Sequence, residues 1–181
     1  MMIETERLIL RPWREVDKEP FARMNANPEV MRYFPKTQSP AESDSVVERF
    51  KAHQEKYGYC FWATEEKLSG DFIGFVGLFN SLFEAHFTPC VEIGWRLDPK
   101  FWGKGYATEG AHASLHYGFG EVGLDEIVAL TTHNNKPSMA VMERVGMTRN
   151  KADDFNHPNL EASHLLQPHV LYRLRRENYS F

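Results

Sequence analysis

Cysteine is scarce in this chain of 181 residues: Cys60 and Cys90 are the only two. Two are too few for a disulfide framework and show no metal-ligand spacing, so a reducing compartment, the cytoplasm, is the expectation. Long apolar runs are missing as well. No stretch approaches the ~20 consecutive apolar residues of a membrane helix. The opening from Met1 to Pro12 is broken by Glu4, Glu6, Arg7 and Arg11, which is not the pattern of a signal peptide. Excess positive charge is absent too: a formal net charge of −4 argues against a general nucleic-acid or anionic-membrane binder and is compatible with an amine-bearing partner. There are no repeats, low-complexity tracts or linkers; Glu121 to Gly123 reads as a turn, and residues 1–181 are expected to form one domain. No Gly-x-x-x-x-Gly-Lys-Ser/Thr run is present, which excludes a P-loop.

What is present centres on residues 91–109. Val91, Ile93, Trp95 and Leu97 alternate with Glu92, Gly94 and Arg96, the period of a strand. Asp98-Pro99 ends it, since proline donates no ladder hydrogen bond and restricts the residue before it. Gly103 and Gly105 follow, and then Ala107, Ala111, Leu115 and Phe119 recur at the spacing of a helix face. Strand, glycine turn and helix in that order aim free backbone N–H groups and the positive end of a helix dipole at one point. Such a point favours an anion, most often a phosphate. The dinucleotide fingerprint Gly-x-Gly-x-x-Gly is one reading of the turn, but Thr108 stands where the third glycine or alanine belongs.

Elsewhere the pattern predicts a strand over Arg7 to Trp13 with Leu8 and Leu10 on one face, then a helix over Asp17 to Ala26. A short helical piece carrying Val30, Met31 and Phe34 is expected next, followed by a longer helix from Ser39-Pro40 to Gly58. Cys60 to Thr64 and Phe72 to Phe79 read as paired strands around a polar turn, and Asn80 to Pro89 as an irregular loop. Leu124 to Thr132 is apolar on both faces, as a central strand should be. Pro137 and Gly146 bracket a last helix, and His169 to Leu174 closes as a strand.

Three ordered motifs resemble the GNAT acetyltransferases. Leu97, Trp102, Gly105 and Ala107 fit the spacing of that family's acyl-CoA pattern, Val-x-x-x-x-Gln/Arg-x-x-Gly-x-Gly/Ala, with Trp102 where the family has Gln or Arg. Asn135-Lys136-Pro137-Ser138, leading into Val141 to Met147, resembles its asparagine-to-serine turn and closing helix. Thr5 to Pro12 is similar to the opening strand of its RimJ/RimL branch, whose known members acetylate protein amino termini. The resemblance covers nearly the whole chain. It implies a mixed α/β (α+β) fold whose mostly antiparallel, twisted sheet splays between two parallel central strands, flanked by helices. It also implies acetyl-CoA as co-substrate; the oligomeric state, monomer or homodimer, is left open by the sequence. The implied acceptor is an amine: a peptide amino terminus first, a small molecule such as an antibiotic, polyamine or amino acid second.

On that resemblance, Trp102, Gly103, Lys104, Gly105, Tyr106, Ala107 and Thr108 grip the pyrophosphate through backbone N–H groups, with Lys104 adding charge or remaining solvated. The edge formed by Ile93, Gly94, Trp95, Arg96 and Leu97 pairs with the pantetheine amides where that strand splays from Ile127–Thr131. Glu92 is the expected base. Strand parity sets it on the face opposite Val91 and Ile93, where a carboxylate bordering a core can hold a raised pKa. The competing reading is an ion pair with Arg96. Ser138 either protonates the departing thiolate or caps the helix, and Asn135 caps that helix, donates to the cofactor, or does both. Tyr106 is expected to pack beside the turn and Arg144 to face solvent. His157 is an alternative base within a tail that reads more naturally as a structural clamp. His112 and His116 stand four apart but lack a His-Glu-x-x-His frame, so no metal site is expected. Neither cysteine has a nucleophile's setting, so attack is expected to be direct, in a ternary complex. A CoA-binding module without catalysis and a dinucleotide-dependent enzyme are the readings from other classes.

Overall fold

The computed structural model describes residues 1–180. Its strands are β1 (Ile3–Glu4), β2 (Leu8–Arg11), β3 (Phe61–Glu66), β4 (Phe72–Ser81), β5 (Cys90–Leu97), β6 (Glu126–Thr132), β7 (Thr148–Arg149), β8 (Phe155–Asn156) and β9 (Pro168–Arg175). The helices are α1 (Lys18–Ala26), α2 (Pro40–Tyr57), α3 (Tyr106–Gly120) and α4 (Lys136–Arg144). The strands form a single sheet in the order β1-β2-β3-β4-β5-β6-β9-β7, with β8 paired to β9.

Every pairing is antiparallel except β5 with β6, which are joined through the α3 crossover that a parallel pair requires. In that parallel pair only Glu92 and Val128 are in register. β5 is fully paired on its other side, from Cys90 to Leu97 against β4, and β6 from Glu126 to Thr132 against β9. The sheet therefore opens beyond Glu92, and one edge of β5 is left free in the middle of the molecule.

Period-two alternation divides the core between the two faces of the sheet. Phe61, Phe75 and Phe79 point toward α1 and α2, with ring centroids 5.1 and 5.3 Å from Phe61 to the other two and 5.4 Å from Phe50 of α2 to Phe61. Trp62, Val76, Leu78 and Ile127 face α3. That helix lies close because a Cβ on Gly110 would stand 3.1 Å from Val76, and one on Gly118 2.7 Å from Ile127. Trp62, Phe21, Phe119, Leu8 and Leu115 are fully buried, each contributing about 1.5–3 kcal/mol from apolar burial.

Local signals account for the helix ends. Ser39 accepts from the Glu42 amide (3.3 Å) and donates its own to the Glu42 carboxylate (2.8 Å), Pro40 fills the first turn, and Gly58 ends α2 at φ 81°. At the start of α1 the Arg11 guanidinium forks onto Asp17 (2.8 and 2.9 Å) and reaches Glu65 (2.8 Å). Arg11 and Asp17 are 3% and 1% exposed, so β2, β3 and α1 are tied together by a buried ion pair.

The structure differs from the sequence reading in several places. Residues 28–34 form successive turns, with Met31 N–H on Asn27 O and Phe34 N–H on Met31 O, rather than a helical piece. Pro28 and Pro35 leave too few residues between them to nucleate one. The first strand is shorter than Arg7 to Trp13 because Pro12 cannot continue the ladder. β4 runs on through Asn80 and Ser81, which the sequence reading placed in the loop. The two-residue strands β1, β7 and β8 were not anticipated; each exists only through its partner. No helix among the described residues is long and apolar enough to cross a membrane.

Candidate active site

A cavity of about 1350 Å³ runs from the Gly103–Thr108 turn, through the gap between β5 and β6, into the space beneath α2. Its first wall is the turn itself. Gly103 and Gly105 have φ of 73° and 83°, left-handed values that glycine adopts without strain. The chain reverses there, and the first helical hydrogen bond of α3 runs from Glu109 N–H to Gly105 O. Among the described residues, the backbone N–H groups of Gly103, Lys104, Gly105, Tyr106, Ala107 and Thr108 find no acceptor. Consecutive unpaired donors at the positive end of a helix of this length suit a diphosphate.

Arg7 holds the turn in place. Its Nε and Nη2 both stand 2.6 Å from the Glu109 carboxylate, its Nη1 donates to Lys104 O (2.9 Å), and its guanidinium lies 4.7 Å from the Tyr106 ring. Tyr106 packs beneath the turn at 7% exposure, its hydroxyl donating to the Glu66 carboxylate. Trp102 departs from expectation. Its amide is committed to Pro99 O (3.1 Å) and its indole N–H to Leu97 O (2.7 Å), so it supplies a wall and no free donor. Lys104 is exposed, with Nζ 5.0 Å from the Phe101 ring.

The second wall is the free edge of β5. Ile93 and Leu97 bury their side chains on the α3 side at 3% and 5% exposure, with Trp95 partly buried beside them. Gly94 leaves room for Phe61, whose ring would meet an added Cβ at 3.0 Å. What these residues offer an extended amide chain is backbone hydrogen bonding along the opened edge. This is the pairing that pantetheine can make.

Glu92 stands where the ladder opens, half-buried in the cavity floor. Burial raises its pKa to about 7, outweighing a hydrogen bond from the buried Ser81 hydroxyl and the charge of Arg49 on α2. The ion pair with Arg96 considered from sequence does not form. Arg96 donates to Asn25 of α1 (2.7 Å) and stacks 4.1 Å from the Phe34 ring.

Ser138 lines the cavity from the start of α4. Asn135 caps that helix by accepting from Ser138 N–H (3.3 Å) and donates to Thr131 Oγ1 (2.9 Å), which leaves the Ser138 hydroxyl free of the capping task. His157 also lines the cavity. Its ring stands 4.7 Å from Phe83 and 5.0 Å from His169, burial lowers its pKa, and its Nδ1 accepts from Asn159 N–H (3.3 Å). It belongs to an aromatic clamp with Phe87 and Phe155. Burial raises the Cys60 thiol and pushes Cys90 up to about 12, so both stay protonated. His112 and Arg144 are exposed at the cavity rim. Arg7, Ser81 and Arg49 were not singled out from the sequence. Each acts across a long stretch of chain, and no local pattern marks it.

Residues 7–148 match the acetyltransferase (GNAT) domain family. YnaD of Bacillus subtilis, described as an uncharacterized N-acetyltransferase, is 31% identical over 82% of this chain and 84% of its own. The FsC-acetyl coenzyme A-N(2)-transacetylase of Aspergillus fumigatus is 28% identical over 98% of this chain and 77% of its own. The crystal structure of a GNAT-family acetyltransferase from Bacillus anthracis superposes with a TM-score of 0.80 at 26% identity, covering 98% of this chain and 99% of that one. With an unpaired amide cradle, an opened strand edge and a carboxylate at the opening, the chain belongs to the GNAT family and is an acetyl-CoA-dependent N-acetyltransferase acting on an amine acceptor.

Proposed function

We propose that this protein acetylates a primary amine by direct attack within a ternary complex, with Glu92 as general base and Ser138 as general acid. The observation that carries this reading is the position of Glu92, half-buried at the mouth of the β5–β6 opening with its pKa raised to about 7. The acceptor nitrogen, relieved of its proton by Glu92 directly or through a water, attacks the thioester carbonyl carbon. A C–N bond forms and the tetrahedral oxyanion draws on a β5 backbone N–H; as it collapses the C–S bond breaks, the thiolate takes the Ser138 hydroxyl proton, and the second proton of the amine nitrogen refills that hydroxyl, leaving a neutral amide, the CoA thiol and a protonated Glu92. The amide cradle at residues 103–108 holds the diphosphate and the β5 edge orients the pantetheine arm, so acetyl-CoA is presented in one register.

A base near 7 is closely matched to an α-amine near ~7.8, whereas a lysine-type amine near ~10.4 resists deprotonation by more than three units. This favours an acceptor with an α-amine, such as a peptide amino terminus, or a small molecule whose amine is comparably acidic. The test is acetyl-CoA-dependent thiol release over a panel of peptides and small amines, run with wild type and Glu92→Gln, with intact-mass analysis of enzyme mixed with acetyl-CoA alone. Turnover that collapses in the variant, with no acetylated enzyme, supports the reading. Undiminished turnover in Glu92→Gln, or a stable acetyl-enzyme, overturns it.

A further inference from the structure

The acceptor side of the cavity holds a cation that the catalytic reading leaves unused. Arg96 projects from β5 on the same face as Glu92 and lines the cavity. Of its three guanidinium nitrogens, Nη1 donates to the neutral Asn25 amide (2.7 Å), while Nε is buried without any partner. Nη2 has no protein acceptor either, and no carboxylate lies within ion-pair distance of the group among the described residues. Its flat faces are held by aromatic rings, Phe34 at 4.1 Å and Phe75 at 5.4 Å. Arg96 is half-buried on the cavity lining, and a guanidinium with one neutral partner and an unpartnered buried Nε is set to gain from an anion entering the cavity.

A second cation faces the same space. Arg49 of α2 lines the cavity, with its guanidinium 5.8 Å from the Phe79 ring and no ion pair of its own. Burial, with a contribution from Arg49, lowers the Arg96 pKa to about 10, which leaves it charged at neutral pH. Glu92, on the same strand face, makes no ion pair with Arg96. The acceptor chamber thus holds Arg96 and Arg49 beside a wall of Phe34, Phe61, Phe75 and Phe79, with Glu29 and Arg32 of the 28–34 turns also on its lining and no carboxylate paired with Arg96.

We propose that Arg96 is a specificity residue that receives a carboxylate of the acceptor, so that the substrate class is an amine carrying an anionic group set several bonds from the nitrogen. Four residues of strand separate Glu92 from Arg96, about 13 Å between their Cα atoms. The carboxylate of an α-amino acid, two bonds from its amine, does not span that interval; an acidic side chain in the second position of a peptide, or the far carboxylate of an elongated amine, does. Arg96 offers a planar fork, its Asn25 bond fixes the fork's orientation, and the aromatic wall keeps water from competing.

This inference rests on the proposed amine chemistry at Glu92, and matched acceptor pairs separate the two. Alanyl-glutamate amide is compared with alanyl-glutamine amide, and the α-amide of aminoadipate with its diamide, whose α-amines have the acidity the Glu92 chemistry favours, in wild type, Arg96→Gln and Arg96→Lys. The expected result is a kcat/KM about 10- to 100-fold higher for the carboxylate member in wild type, the range for a hydrogen-bonded charge. That ratio should fall close to one in Arg96→Gln and recover in part in Arg96→Lys. A preference in the first pair assigns the carboxylate to a peptide, and in the second to a free small amine. Equal turnover of both members in wild type overturns the carboxylate proposal and leaves the Glu92 chemistry standing, and this outcome needs no variant to fold. An equal loss on both members in Arg96→Gln shows a structural role and likewise overturns it. If acetyl-CoA binds but no member of either pair reacts, both proposals fall.

Discussion

Replacing Glu92 with Gln keeps the shape of the side chain and its bond to Ser81 while removing the group that takes the proton. Loss of a general base lowers turnover by about 10²–10⁴-fold, and the expected fall in kcat lies in that range. The same substitution should stabilise the fold. Burial raises the Glu92 pKa from the ordinary 4.5 to about 7, so the folded protein holds this proton more tightly than the unfolded chain does. Its favourable contribution is complete below the unfolded value and is lost as pH rises through about 7. Above that pH the buried charge costs up to ~3 kcal/mol, at 1.36 kcal/mol per unit, and Gln removes the cost. The melting temperature of Glu92→Gln should therefore exceed that of wild type at pH 8 and converge with it toward pH 4. Wild-type kcat should rise with pH through a limb near 7 that the variant lacks. Thiol release across pH and calorimetry on both proteins make the comparison. A variant that keeps the limb and turns over within threefold of wild type, or that is no more stable at pH 8, would refute the reasoning.

Three further outcomes follow from the geometry. Gly105→Ala places an L side chain at φ 83° with its Cβ 3.4 Å from Arg7, a strain of about 1–2 kcal/mol; titration calorimetry should show acetyl-CoA binding about tenfold weaker. Ser138→Ala should lower kcat at least tenfold without shifting the melting temperature, whereas Asn135→Ala, which removes the α4 cap, should cost about 1 kcal/mol of stability; the reverse pattern would reassign the two residues. Asp17→Ala removes the bidentate partner of the buried Arg11 guanidinium, which keeps Glu65, and should cost about 1–3 kcal/mol in denaturant unfolding.

The sequence made legible what depends on neighbours along the chain. Residues 91–109 carry strand alternation, a proline stop, two turn glycines and a helix face in order, and the structure builds β5, the turn and α3 from them. Asn135 as a cap and Tyr106 as packing were readable for the same reason. Features made by distant chain segments were not. Ser81 reaches Glu92 only because β4 continues past the point where its apolar pattern ends. Arg7 reaches Glu109 from 102 residues away along the chain. Arg11 and Asp17 meet only when β2 and α1 fold against each other. Trp102 looked like part of the amide cradle because spacing alone does not reveal that Pro99 O already takes its N–H. Arg96 looked like a partner for Glu92 by strand parity, but α1 and the 28–34 turns draw it away through Asn25 and Phe34.

The most direct measurement is a crystal structure with acetyl-CoA bound. The account places the diphosphate on the amides of residues 103–108, the pantetheine along the opened edge of β5, and the thioester carbonyl beside Glu92 and Ser138. A cofactor seated elsewhere, or a diphosphate that leaves those amides unpaired, would contradict it.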